Sequence, residues 1–173
     1  MRILLTGGSA CGKSTYAEAL AMRFSLPRYY IATMRVFGEE GQKKVDQHRK
    51  MRESKNFITI ECDRDIRRIR IPQNSTVLLE CMCNLTANEM FDCYGNIIDV
   101  HDKILSDIEF LESQCQTLIV VTNDVGSDGV KYDKGTQEYI KTLGRLNIAL
   151  AERFDCVYEL VCGIPLVLKG SLL

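Results

Sequence analysis

Short apolar runs, each bounded by glycine, proline or polar residues, recur along the chain. Between them, apolar residues return at helical spacing. Residues 2–6 (Arg-Ile-Leu-Leu-Thr), 29–32, 57–61, 76–80, 118–122, 157–161 and 166–168 predict strands. Ile3-Leu4-Leu5, Val77-Leu78-Leu79 and Leu118-Ile119-Val120-Val121 are continuous rather than alternating, as expected of strands buried on both faces of a parallel sheet. Helix formers from Lys13 to about Phe24 predict a helix that stops before Pro27, and residues 85–91 predict another. Ile104, Ile108 and Leu111 place a helix over 100–113, and a long one is expected over 136–153. Residues 65–70 read as a short helix closed by Pro72, and the almost wholly polar stretch 38–55 as a solvated helix. Strands alternating with helices imply an α/β fold, a mostly parallel sheet with helices on both faces. No repeat, low-complexity tract or linker interrupts the 173 residues, so residues 1–173 are expected to form one domain.

Composition narrows the class. With 46% apolar and 26% charged residues the chain suits a folded water-soluble domain, not a disordered or collagen-like one. No apolar run approaches the roughly 18 residues of a membrane helix, and the opening stretch is short for a signal peptide, so a cytoplasmic protein is expected. The 22 basic and 23 acidic side chains nearly cancel, which argues against a nucleic-acid or anionic-membrane binder. Eight cysteines occur without a Cys-x-x-Cys pair, and only two histidines accompany them. That pattern builds no zinc site, and the cysteines read as free, small apolar residues in a reducing compartment.

The clearest chemistry lies at Gly7-Gly8-Ser9-Ala10-Cys11-Gly12-Lys13-Ser14, which fits G-x-x-x-x-G-K-[ST] without a mismatch and stands between a predicted strand and a predicted helix. Glycine lets successive backbone N–H groups turn towards phosphates, and the helix N-terminus adds its positive dipole end. Lys13 is expected to reach the β- and γ-phosphates, and the Ser14 hydroxyl to ligate Mg²⁺. Glu80 ends a buried strand and is the candidate second acid for the metal; a solvated strand-end glutamate is the plainer reading. Asn123 and Asp124 end another strand, where they could orient the loop or simply form a turn.

Lys44, His48 and Arg52 are spaced to share one face of the polar helix. One reading is a solvated charged face. The other is chemical: imidazole attacks phosphorus, and Lys44, Arg49 and Arg52 would hold a triphosphate in line, giving a nucleotidyl-histidine. Spacing alone leaves both open.

Taken in order, several segments resemble one family, the bifunctional adenosylcobinamide kinase/adenosylcobinamide-phosphate guanylyltransferases of cobalamin biosynthesis. They are Thr6-Gly7-Gly8, Tyr30-Ile31-Ala32-Thr33, His48-Arg49-x-x-Arg52, Ile60-Glu61-Cys62, Leu78-Leu79-Glu80-Cys81 with Asn88, Val121-Thr122-Asn123-Asp124-Val125-Gly126, Gly144-Arg145-Leu146-Asn147 and Cys162-Gly163-Ile164-Pro165-Leu166. The resemblance implies a RecA-like P-loop NTPase fold, a homotrimer, ATP and GTP as substrates, and a corrinoid as the small-molecule partner. It implies phosphorylation of adenosylcobinamide, then transfer of GMP from GTP through a guanylylated His48. Nucleotide contacts carried over from the family fall on the P-loop residues, Ala32, Thr33, Met34, the segment Arg49, Lys50, Met51 and Arg52, Glu61 and Glu80. The chain departs from the family pattern at Glu53, Asp124, Gln137 to Lys141 and Ile148. A plain small-molecule kinase and a non-catalytic nucleotide-binding regulator are the competing functional readings.

Overall fold

The computed structural model describes residues 1–35, 55–126 and 129–173. The expected polar helix over 38–55, with Lys44, His48, Arg49, Lys50, Met51 and Arg52, lies outside the described residues except at its last position. Seven strands are present among the described residues: β1 (Arg2–Thr6), β2 (Arg28–Ala32), β3 (Phe57–Glu61), β4 (Thr76–Glu80), β5 (Thr117–Val121), β6 (Cys156–Val161) and β7 (Ile164–Lys169). They form one sheet in the order β3-β2-β4-β5-β1-β6-β7. The first six are mutually parallel, and β7 returns antiparallel to β6.

Helix α1 (Lys13–Ala21) covers one face, and α2 (Met82–Met90), α3 (His101–Gln114) and α4 (Lys134–Arg153) cover the other. The apolar strand runs divide accordingly. Ile3, Leu5, Leu78, Ile119 and Val121 pack with Ala17 and Leu20 of α1. Leu4, Val77, Leu79, Leu118 and Val120 pack with Leu85, Ile104, Ile108, Leu143 and Leu146. This is why the central strands show no polar alternation: each face has its own core. No helix among the described residues is long and apolar enough to cross a membrane.

Several boundaries differ from expectation. Helix α1 stops at Ala21, three residues early, where Arg28 donates to the carbonyls of Ala21, Met22 and Phe24 and satisfies the helix end. The short helix expected over 65–70 is a single 3-10 turn at Ile66–Arg68. Helix α2 begins at Met82, with only Cys81 between it and β4, although Cys81 at its N-cap makes no side-chain capping bond. Helix α4 begins at Lys134, because the Asp133 carboxylate accepts from the N–H groups of Gly135 and Thr136 at 2.8 and 3.1 Å. The last strand is longer than its apolar run. It follows a two-residue hairpin turn in which Cys162 and Gly163 both have positive φ, 51° and 81°.

All eight cysteines are free. Cys62, Cys83, Cys115 and Cys156 are buried as expected, but Cys93 and Cys162 are exposed, on a surface turn and on the β6–β7 turn.

Candidate active site

The Gly7–Ser14 loop leaves β1 at the carboxyl edge of the sheet and feeds α1. Three positive φ values shape it: Gly7 at 133°, Ala10 at 56° and Gly12 at 98°. Gly7 has no room for a side chain, since an added Cβ would stand 2.5 Å from the Leu160 carbonyl oxygen on β6. The β6–β7 turn presses on the other end of the loop. Gly163 N–H donates to the Cys11 carbonyl at 2.8 Å, and Gly163 Cα lies 3.2 Å from where a Gly12 Cβ would be. The loop is thus clamped from β6 and its hairpin.

Lys13 is 6% exposed and its ammonium is curled back into the loop. It donates to the carbonyls of Gly7 at 2.9 Å and Gly8 at 2.5 Å, and lies 3.6 Å from Cys11 Sγ. The Gly7 carbonyl also accepts from Asp124 N–H at 3.2 Å, which ties the loop to the end of β5. Thr122 Oγ1 donates to Asn147 Oδ1 at 2.7 Å, and Asn147 Nδ2 to the Asn123 carbonyl at 3.3 Å. The Asp124 backbone thus meets the loop, and α4 braces the strand end at Thr122 and Asn123.

Glu80 emerges at the end of β4 beside the loop. Ser14 Oγ donates to its Oε1, and Tyr30 OH donates to its Oε2 at 2.7 Å. A pocket of about 340 Å³ opens here, lined by the loop from Ser9 to Thr15 together with Glu80, Cys81 and Asn123. The arrangement sets a cation and a helix N-terminus towards the space where phosphates would lie, with a hydroxyl–carboxylate pair beside them. Cys81 and Cys83 follow Glu80. Their mutual hydrogen bond pushes the Cys81 thiol up and the Cys83 thiol down, with Tyr139 also helping to hold the Cys83 charge.

The remaining candidates among the described residues lie along the same edge. Ala32 is the register partner of both Glu61 on β3 and Glu80 on β4, so all three sit side by side at the strand ends. Thr33 is fully buried. Its hydroxyl donates to the Cys81 carbonyl at 2.8 Å, and it accepts from Cys81 N–H at 2.7 Å. That side chain braces the backbone after Glu80, while Met34 is exposed beside it. Asn88 Nδ2 donates to the carbonyls of Thr33 and Asp63, joining the ends of β2 and β3 to α2. Motif reading did not single out Tyr30 or Asn88 for a role, because their contacts depend on strand register and helix placement.

A family model described as cobinamide kinase / cobinamide phosphate guanyltransferase matches residues 3–168. Similar proteins include the bifunctional adenosylcobalamin biosynthesis protein CobU of Escherichia coli (strain K12). It is 32% identical over an alignment covering 98% of this chain and 100% of that protein. The bifunctional adenosylcobalamin biosynthesis protein CobP of Pseudomonas aeruginosa is 29% identical, with 99% of each chain covered. Among solved structures, an ATPase from the type III secretion system of pathogenic bacteria superposes with a TM-score of 0.55 at 13% identity. That alignment covers 91% of this chain and 51% of the ATPase, a likeness of fold that fits a P-loop NTPase sheet.

Proposed function

The chain belongs to the cobinamide kinase / cobinamide phosphate guanyltransferase family, and from that premise we propose how its residues divide the two reactions. The protein is a bifunctional kinase and nucleotidyltransferase of adenosylcobalamin biosynthesis, acting on a corrinoid and nucleoside triphosphates. In the proposed reading the Gly7–Ser14 loop and Lys13 hold the phosphates of ATP or GTP. In the kinase step a hydroxyl oxygen of the corrinoid bonds to the γ-phosphorus and the nucleoside diphosphate leaves. In the second reaction the His48 imidazole bonds to the α-phosphorus of GTP and pyrophosphate leaves. The substrate phosphate then takes the guanylyl group from the histidine. Arg49 and Arg52 flank His48 in the sequence and would balance phosphate charge, with Lys50, Met51, Ala32, Thr33, Met34 and Glu61 as further nucleotide contacts.

The observation that carries this reading is the cage around Lys13. A cation that is 6% exposed, held by two loop carbonyls beside a Ser14–Glu80 pair, can exchange those carbonyls for phosphate oxygens. The Ser14 hydroxyl and Glu80 carboxylate are hard oxygen donors at the phosphate end of the pocket, and they fit Mg²⁺. When bound, Mg²⁺ would neutralise charge on the phosphates.

The residue range 1–173 is proposed as one P-loop domain, in the cytoplasm. A homotrimer, as the family resemblance implies, would cover the apolar edge strand β7, where Ile164 and Leu168 are 63% and 60% exposed. Sedimentation equilibrium measures that assembly.

Incubation with α-labelled GTP and Mg²⁺ tests the transfer chemistry. Labelling of the protein that is acid-labile and base-stable, and that maps to His48, is the expected result. Consumption of γ-phosphate without labelling would remove His48 from the mechanism.

A further inference from the structure

Tyr30 lies outside the phosphate-binding loop, on β2, yet it holds Glu80, the acid on which that pocket depends. On the parallel pair β2–β4, Tyr30 stands opposite Leu78 and Ala32 opposite Glu80. Because side chains alternate, Tyr30 and Glu80 project from the same face as diagonal neighbours, a separation only a long side chain spans. The Tyr30 ring is 4% exposed and meets Phe57 edge-to-face, with centroids 6.2 Å apart and planes at 79°. From that fixed position its hydroxyl donates to Glu80 Oε2 at 2.7 Å.

The other carboxylate oxygen, Oε1, accepts from Ser14 Oγ. Terminal rotation of a glutamate carboxylate is broad and nearly two-fold, so a single hydrogen bond leaves its plane loosely set. Two donors from two different elements, β2 and α1, set it. With its proton directed at Oε1, Ser14 keeps its lone pairs for another partner on the pocket side.

We propose that Tyr30 is a positioning residue for the metal–nucleotide site: its hydroxyl orients Glu80 so that the Ser14 hydroxyl donates its hydrogen bond to the carboxylate and keeps a lone pair for a divalent cation. The inference rests on the reading of Ser14 and Glu80 as the metal-holding pair. The role of Tyr30 in it runs through Glu80. Removing the hydroxyl leaves the cradle for the phosphates intact and weakens the preference for the metal-bound nucleotide.

The test is Tyr30→Phe, which deletes one oxygen and keeps the ring against Phe57. Binding of fluorescently labelled GTP is measured with EDTA and with saturating Mg²⁺, and Mn²⁺ binding to the nucleotide-loaded protein is followed by electron paramagnetic resonance. Metal-free affinity should stay within about twofold of the parent. The gain in affinity on adding metal, and the Mn²⁺ affinity, should each fall about five- to tenfold, the scale of one ordinary net hydrogen bond, since Tyr30 acts on the metal only through Glu80. The ratio of the two nucleotide affinities cancels any loss of folded protein. In a Glu80→Gln background Tyr30→Phe should add less than twofold, since the carboxylate it orients is gone. A metal effect that Tyr30→Phe leaves intact overturns the proposal, as do fully additive effects with Glu80→Gln. A parent protein whose nucleotide affinity ignores metal overturns the Ser14–Glu80 reading, and this proposal with it.

Discussion

Gly7 and Gly8 open the phosphate-binding loop side by side, and replacing each with alanine should have opposite consequences. Gly7 is buried with φ at 133°, and an added Cβ would stand 2.5 Å from the Leu160 carbonyl oxygen and 3.3 Å from the Leu160 nitrogen. Both are backbone atoms of β6, which pairs with β1 on one side and β7 on the other, so they cannot swing away. The conformation alone costs about 1–3 kcal/mol for a residue with a side chain. Overpacking against fixed backbone adds about 1–3 kcal/mol. A total near 3 kcal/mol is a large part of the roughly 5–15 kcal/mol that holds a domain folded. With an m-value of about 2 kcal/mol/M, the urea midpoint should drop by about 1.5 M. Relief can come only by moving the loop off β6, so nucleotide affinity should fall as well. Gly8 is exposed, and its added Cβ meets nothing within 4 Å. Gly8→Ala should therefore unfold within about 0.5 kcal/mol of the parent. Urea unfolding and GTP titration on both variants are the assay. Equal destabilisation by the two substitutions, or a Gly7→Ala protein as stable as the parent, would refute the clash argument.

Lys13→Ala should cut kinase turnover and guanylyl transfer alike by about a hundredfold or more while the fold survives, as read by both product assays and circular dichroism. His48→Ala should abolish protein labelling from α-labelled GTP and leave the kinase at a substantial fraction of its rate; persistent labelling would exclude His48 as the nucleophile. Lys103→Met should destabilise by about 2 kcal/mol, because the lysine joins Glu89 and Asp107, 7% and 6% exposed in their side chains, to the more exposed Asp65. In the parent, the hydrogen bond from Lys103 holds the Asp65 carboxyl below its usual range. Burial opposes the Lys103 charge, but bonds to Glu89, Asp65 and Asp107 outweigh it and raise the ammonium above its ordinary value. The Asp65 contribution is thus present above about pH 3.9 and lost as pH falls through its depressed value. The Lys103 contribution is present below about pH 10.4 and lost only as pH rises through its raised value. Denaturant titrations from pH 3 to 8 should show the acid-side loss diminished in Lys103→Met, which also leaves the buried Glu89 and Asp107 side chains without their shared cation.

The central sheet was legible because continuous apolar runs have few other uses in a chain of this composition, and β1, β4 and β5 fall where Ile3-Leu4-Leu5, Val77-Leu78-Leu79 and Leu118–Val121 stand. Helix starts were less legible. Cys81 caps α2 without a side-chain bond, so nothing in Cys81-Met82-Cys83 marks a beginning, and the Asp133 cap is obscured by a glycine two residues later, which reads as a turn. The run Leu166-Val167-Leu168 has the composition of a core strand, yet it forms an exposed edge, since apolar character does not say which strand comes last in a sheet. In the site, loop spacing encodes a backbone turn directly, which made Gly7 to Ser14 readable. Glu80 was readable as a strand end. Tyr30 was not, because its role is a diagonal relation across β2 and β4 that exists only once the register is known.

Why one phosphate cradle would suit two different transfers, as the proposed assignment requires, follows from where charge lands. Attack on the γ-phosphorus breaks the bond to the oxygen bridging the β- and γ-phosphates, and the electron pair stays on the β-phosphate. Attack on the α-phosphorus breaks the bond to the oxygen bridging the α- and β-phosphates, and that pair also ends on the β-phosphate, now part of pyrophosphate. The developing charge appears at the same phosphate in both reactions, so one cation and one set of loop N–H groups can stabilise both leaving groups. What must differ is the nucleophile and the side from which it arrives. In the proposed assignment the loop supplies the shared leaving-group site, and His48 supplies the nucleophile for one reaction alone. This ordering makes the two variants informative as a pair. Loss of both activities on removing Lys13, with loss of transfer alone on removing His48, is the signature of a shared β-phosphate site; a Lys13→Ala enzyme that kept its self-guanylylation would require a second cradle elsewhere in the chain.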